Sequence, residues 1–222
     1  MTYETRKKLR KALTMFCCAL LLCAISIGAT IAYLTDTEAV TNTFVVGKVE
    51  ISLDESDVYE FGQENIPAGK THGEKIDNAI RVQENEYKLF PGKTYDKDPI
   101  VHVNAESEDC YVFVQVLNEI AAIEDDTTIA NQIAANGWTK LAGETVEGDV
   151  YYKVSNKADT DRELEVFQTV KIKSTVDNTT LAAYAAKTVK VTAYAIQKDG
   201  FADASAAWNA GNQSASNGGW IN

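Results

Sequence analysis

The sequence predicts a mainly β protein: an antiparallel β-sandwich, jelly-roll-like, with a short inserted helix and a cleaved N-terminal signal helix. Three observations carry this. Apolar and polar residues alternate with period two in several short segments, among them 48–53, 164–173 and 187–197. The segment Cys110–Leu117 (Cys-Tyr-Val-Phe-Val-Gln-Val-Leu) is apolar on both faces, as expected of a central strand covered from both sides. A basic cluster followed by an apolar run opens the chain.

That opening divides an otherwise ordinary composition. The 222 residues are 45% hydrophobic and carry a net charge of -11. Residues 1–32 hold Arg6, Lys7, Lys8, Arg10 and Lys11 against the single acid Glu4, so removing their +4 leaves -15 on residues 33–222. The apolar run Ala12–Ala32 is interrupted only by Thr14, Ser26, Gly28 and Thr30. A basic start, an apolar stretch and a small-residue exit are the three parts of a secretory signal peptide, and Thr30 and Ala32 stand where a signal peptidase reads small side chains. Cleavage then leaves Tyr33 as the new N-terminus. A retained membrane anchor is the competing reading, since the run approaches the ~20 residues a bilayer needs. Leu21-Leu22-Cys23 is no lipidation site, because a small residue must precede the cysteine. Nucleic acid is excluded as a partner by the acidic balance, with a pI of about 4.7.

The remaining elements follow in order. Residues 33–46 form an N-terminal segment, and Val49, Ile51 and Leu53 share one face of the first strand of a domain spanning 47–202. Residues 54–86, acidic and punctuated by Gly62, Pro67, Gly69 and Gly73, read as a long surface excursion. Pro91-Gly92 marks a turn and Pro99–Ala105 a strand. Asp125-Asp126-Thr127-Thr128 supplies helix-capping groups and Gly137 a stop, which predicts the inserted helix over about 127–136. Trp138–Leu141 and Val150–Val154 pair across a Gly-bounded loop. Leu164, Val166, Gln168, Val170 and Ile172 read as one face of a single strand, and Val189, Val191, Ala193 and Ala195 as one face of the last. Residues 203–222 are expected to be a short helix, over 203–210, and a frayed tail.

Cys17, Cys18 and Cys23 leave with the signal peptide, so Cys110 is the one cysteine of the mature chain and no internal disulfide can form. Between acids and apolar residues it reads as a buried structural thiol. Asn178-Thr179-Thr180 reads as turn composition, and the acids of 119–126 as helix-start chemistry rather than a calcium loop.

Four stretches carry a resemblance. Ala29-Thr30-Ile31-Ala32-Tyr33-Leu34-Thr35-Asp36, followed by Thr43-Phe44-Val45-Val46-Gly47-Lys48-Val49, resembles the start of the TasA/camelysin family of SipW-dependent secreted biofilm-matrix proteins. Leu89-Phe90-Pro91-Gly92-Lys93-Thr94 and Thr192-Ala193-Tyr194-Ala195-Ile196-Gln197 are similar to that family's turn and last core strand. The resemblance implies a jelly-roll protein of the Gram-positive extracellular matrix. It implies processing by a signal peptidase of the SipW type, self-assembly into a homopolymer, and other matrix proteins as further partners. Membrane contact is expected only before cleavage. The polymerisation segment it implies is the freed end 33–46, with Tyr33, Leu34, Val40, Phe44 and Val46 as its apolar positions. That segment holds no Pro or Gly and can supply a ladder of N–H donors.

The family also includes camelysin, described as a cell-surface zinc endopeptidase. A zinc enzyme needs three protein ligands and an open position, whereas the chain has two histidines, His72 and His102, and no His-Glu-x-x-His. His102 alternates with Val101 and Val103 as a sheet-face residue, and His72 reads as a solvated loop residue. The expectation is therefore a non-enzymatic protein with no cofactor, metal site or catalytic residue. A surface adhesin or binding module is the third class, with Trp138, Trp208, Trp220 and the tyrosines as its candidate face. Trp138 itself reads as a cover for the core.

Overall fold

The computed structural model describes residues 3–8, 10–11, 13–17, 48–78, 80–143 and 146–215. The chain divides into two units, residues 1–45 and 46–222. In the first, residues 3–8, 10–11 and 13–17 are helical, with Tyr3, Leu13, Met15 and Phe16 exposed. No described helix is long and apolar enough to cross a membrane.

The second unit is a mainly antiparallel β protein of sandwich type. Its strands are β1 (Ile51–Ser56), β2 (Arg81–Val82), β3 (Thr94–Asp96), β4 (Ile100–Val103), β5 (Cys110–Asn118), β6 (Thr139–Lys140), β7 (Asp149–Ser155), β8 (Glu163–Glu165), β9 (Thr169–Lys171) and β10 (Val189–Gln197). They form a sheet ordered β2-β1-β4-β8, a second ordered β10-β5-β7-β6, and the small pair β3-β9. Helices α1 (Ile129–Ala135), α2 (Asn178–Ala182) and α3 (Ala204–Ala215) join them, with a 3-10 turn at Ala121–Ile123.

The alternation of side chains explains the layers. Val49, Ile51 and Leu53 pack with Val101, Val103, Val112, Val114, Val116 and Leu164 in the main core. The other face of the second sheet, through Tyr111, Phe113, Val150 and Tyr194, packs against Ala204, Ala207 and Trp208 of α3. That second cluster is why β5 is apolar on both faces: Val112, Phe113 and Val114 are all fully buried. Burial of this kind contributes ~25 cal/mol per Å² of apolar surface removed from water.

Several expectations meet their physical limits here. Residues 164–172 are two strands in two sheets: Leu164 pairs with Val101 through β8, Val170 with Tyr95 through β9. Between them Phe167, out of phase with the alternation, is fully buried where the chain crosses between sheets. Asn178-Thr179-Thr180 opens α2, because the Asp177 carboxylate accepts from Thr180 N at 2.7 Å as its N-cap. The C-terminal helix runs on to Ala215, and Trp208 is fully buried under it, so this tryptophan belongs to the core and to no binding face. Trp138 is buried as predicted, its Nε1 donating to Glu165 O at 2.7 Å. Helix α1 is one turn shorter than expected; Thr128 caps it and Gly137 (φ 79) ends it. The tail after 215, including Trp220, lies outside the described residues.

The excursion is a closed loop. Its return limb pairs with β1 at Glu55↔Val82 and Ser56↔Arg81, and Val58 bridges Lys75 within it.

Candidate functional site

Strand β10 forms because Val189, Val191, Ala193 and Ala195 face the main core while Tyr194 and Ile196 face α3's cluster. All nine of its residues pair with β5, from Val189↔Asn118 to Gln197↔Cys110, without a bulge. Both ends are fixed. At the start, the Glu119 carboxylate accepts from Lys187 Nζ at 2.8 Å, Thr188 N at 2.9 Å and Thr188 Oγ1 at 3.0 Å. The Lys187 ammonium and these donors hold that carboxyl at about 2. At the far end Lys198 N donates to Asp109 O at 2.7 Å.

Among the described residues β10 is an edge strand, paired with β5 and nothing else. Alternate N–H and C=O groups along its outer side therefore have no described strand partner. The other edges are short. Strands β2 and β6 have two residues each, and β8 has three, two of them Glu163 and Glu165. Short edge strands and edge charges are how sheets discourage unwanted pairing. Strand β10 lacks both devices, being long, regular and charged only at Lys190. The outer side of β1 beside it is covered by β2 only at Glu55 and Ser56. A shallow groove lined by Val49, Ala195, Ile196, Gln197 and Phe201 lies at the end of this seam. Such an edge can accept an added strand and hydrogen-bond it along its length.

Of the residues predicted from sequence to act, Thr30, Ala32, Tyr33, Leu34, Val40, Phe44 and Val46 lie outside the described residues, so the structure brings none of them to the edge. The histidines lie in different settings. His102 Nε2 is 2.9 Å from Asp54 Oδ1, and its Nδ1 is 3.5 Å from Glu163 Oε1. Asp54 is also bound by Arg81 Nε. Partial burial opposes the ionisation of Asp54, but Arg81 and His102 outweigh it and hold the carboxyl below its usual range.

His72 is not a solvated loop residue. Its ring packs edge-on to Phe61 (centroids 5.3 Å apart) and Phe90 (5.1 Å), near Tyr95, and Nε2 is buried without a hydrogen bond. Burial lowers its pKa, helped by the Lys93 and Lys88 ammonium groups. The signal for this packing was Phe61 within the excursion, with Phe90 and Tyr95 shortly after it. Among the described residues no group of three or more His, Cys, Asp or Glu side chains is placed to hold a metal ion. Cys110 is fully buried, and burial pushes its thiol up, offset in part by Arg162. Compared with protein-family models, with curated proteins and with solved structures, the chain has no match.

Proposed function

We propose that this chain is a secreted structural protein of a biofilm-type extracellular matrix that self-assembles into fibres by N-terminal strand addition. In this reading it belongs with the TasA/camelysin proteins, and a SipW-type signal peptidase releases it from the membrane. The freed segment 33–46 of one molecule pairs with the outer edge of β10 in the next. The observation that carries the reading is that edge: nine regular residues with no described strand hydrogen-bonded on the outer side, whereas the other end strands, β2, β6 and β8, are all short. A 14-residue donor is long enough to cover it. The contact is head-to-tail and does not close on itself, so it propagates as a filament.

Two altered proteins test this beside one starting at Tyr33. One starts at Val46; the other keeps Tyr33 and carries Leu34→Pro and Val40→Pro, which remove two ladder donors. The reading requires fibres from the Tyr33 protein and folded monomers from both others, seen by negative-stain microscopy and circular dichroism. Equal polymerisation of the Val46 protein, or its unfolding, defeats strand donation. Zinc-dependent cleavage of casein by the purified protein would favour the peptidase alternative.

A further inference from the structure

Where the excursion rejoins the sandwich, three side chains from three separate segments meet. Glu55 lies on β1, Asn85 just after β2, and Lys97 just after β3. The Glu55 carboxylate takes one partner on each oxygen: Lys97 Nζ is 2.6 Å from Oε2, and Asn85 Nδ2 donates to Oε1 at 2.9 Å. The Glu55 and Lys97 side chains are only 7% and 13% exposed. The Tyr87 ring centroid lies 5.7 Å from Lys97 Nζ. The other polar atoms of Asn85 are also fixed: Nδ2 donates to Ser56 O at 2.9 Å, and Oδ1 accepts from Val58 N at 3.2 Å.

An amine, a carboxamide and a bridging carboxylate, with the amine and carboxylate largely withdrawn from water, are the parts of an acyl transfer. We propose that Lys97 and Asn85 are joined by an intramolecular isopeptide bond whose formation Glu55 catalyses.

The residues divide the work as follows. Glu55 takes a proton from the Lys97 ammonium across their 2.6 Å contact, leaving a neutral amine. That amine attacks Asn85 Cγ, and the carbonyl electron pair moves onto Oδ1, where the Val58 N–H already points. As the tetrahedral adduct collapses, the C–Nδ2 bond breaks and Nζ loses a second proton. Both protons leave on Nδ2, which departs as ammonium. The products are a Lys97–Asn85 secondary amide, one ammonium ion and a regenerated Glu55 carboxylate. Neither oxidant nor cofactor is needed. The geometric contribution is proximity: groups held on two oxygens of one carboxylate react as one molecule.

Burial supports the chemistry, because it keeps water from competing for the carbonyl. The Tyr87 side chain beside Lys97 is partly buried, and its phenol donates to Asp96 O at 2.8 Å. Its pKa is driven far above the ordinary value by burial first and by Glu55, Asp98, Asp96 and Asp57 next. The bond would staple the return limb of the excursion to the start of β4. With one cysteine after residue 32, the sandwich has no disulfide to do this.

The test is the mass of the purified, folded protein and its tryptic map. We expect a mass one ammonia molecule below that of the sequence of its processed form. We also expect peptide 82–88 to be recovered joined to the peptide beginning at Thr94, uncut after Lys97. Glu55→Gln and Lys97→Arg should each restore the sequence mass and separate the two peptides. A protein at full sequence mass overturns the proposal, whatever the variants do. So does loss of ammonia without the joined peptide, which would mean cyclisation of an asparagine on its own backbone. A joined peptide that survives Glu55→Gln refutes the catalytic role of Glu55.

Discussion

Replacing Arg162 by methionine should unfold the sandwich at a markedly lower temperature. Arg162 precedes β8, is 8% exposed, and its guanidinium faces no carboxylate at hydrogen-bonding distance among the described residues. Its N–H groups are spent on neutral acceptors. Nε donates to Ser155 Oγ at 2.9 Å, Nη1 to Ser107 O at 2.8 Å and Asn104 O at 3.0 Å, and Nη2 to Glu108 O at 3.3 Å. One planar fork thus closes the loop between β4 and β5 and ties it to the end of β7, a task that needs several fixed donors at once. Methionine keeps most of the volume and removes every donor. The two contacts that are buried at both ends, to Ser155 and Ser107, decide the magnitude. An acceptor left unpaired there costs ~1–3 kcal/mol, so losing two costs roughly 4 kcal/mol. That is a large part of the ~5–15 kcal/mol that holds a typical domain folded. At ~2–4 °C per kcal/mol for a domain of this size, Tm should fall by about 8–16 °C. Urea denaturation should show the same loss with an unchanged slope. Arg162→Lys, with a point charge in place of a fork, should fall between the two. A loss under ~1 kcal/mol in Arg162→Met would show that water replaces the guanidinium, and that the loop is held by something else.

Three further outcomes follow from the same packing. Trp208→Ala should cost ~3–5 kcal/mol by thermal unfolding, because it empties the cluster between α3 and the second sheet; a neutral change would mean that α3 does not cover that face. Cys110→Ser should cost ~1–3 kcal/mol by putting a more polar hydroxyl in place of a fully buried thiol, and the native thiol should resist labelling by an exposed-thiol reagent. His72 has a folded pKa below its unfolded value of ~6.5, so the folded state binds fewer protons and stability falls as pH drops below that value. Amide protection factors in the excursion, corrected for the intrinsic pH dependence of exchange, should therefore fall between neutral pH and pH 5, and His72→Phe, which keeps an aromatic ring, should abolish the change.

How much of this was readable in the sequence depended on whether one segment carried its own pattern. Strands β5 and β10 were legible because a buried strand must show its apolar faces within its own residues. The helix at 129–135 was legible from Thr128 and Gly137, which act locally. The division of 164–172 was not, since alternation continues through Leu164, Val166, Val170 and Ile172 while the chain changes sheets; Phe167, out of phase, was the sole mark of the crossing. Helix α2 was hidden because Asp177 and Leu181, its cap and its buried contact, flank a run that reads as a turn. The Glu55, Asn85 and Lys97 cluster could not be read at all. Its members are brought together by the closure of the excursion, and polar residues in a polar stretch carry no period. The edge of β10 was legible only in part, because a strand's sequence shows its faces and leaves its neighbours unstated.

Fibre formation by strand donation requires the segment 33–46 to add to β10 of another molecule. The most direct test supplies that segment as a separate peptide to the folded protein starting at Val46 and follows amide hydrogen exchange. Saturable binding with slowed exchange within Val189–Gln197 is expected, and no such slowing with a peptide carrying Leu34→Pro and Val40→Pro. Binding that leaves Val189–Gln197 unprotected, or protection centred on another edge, would contradict it.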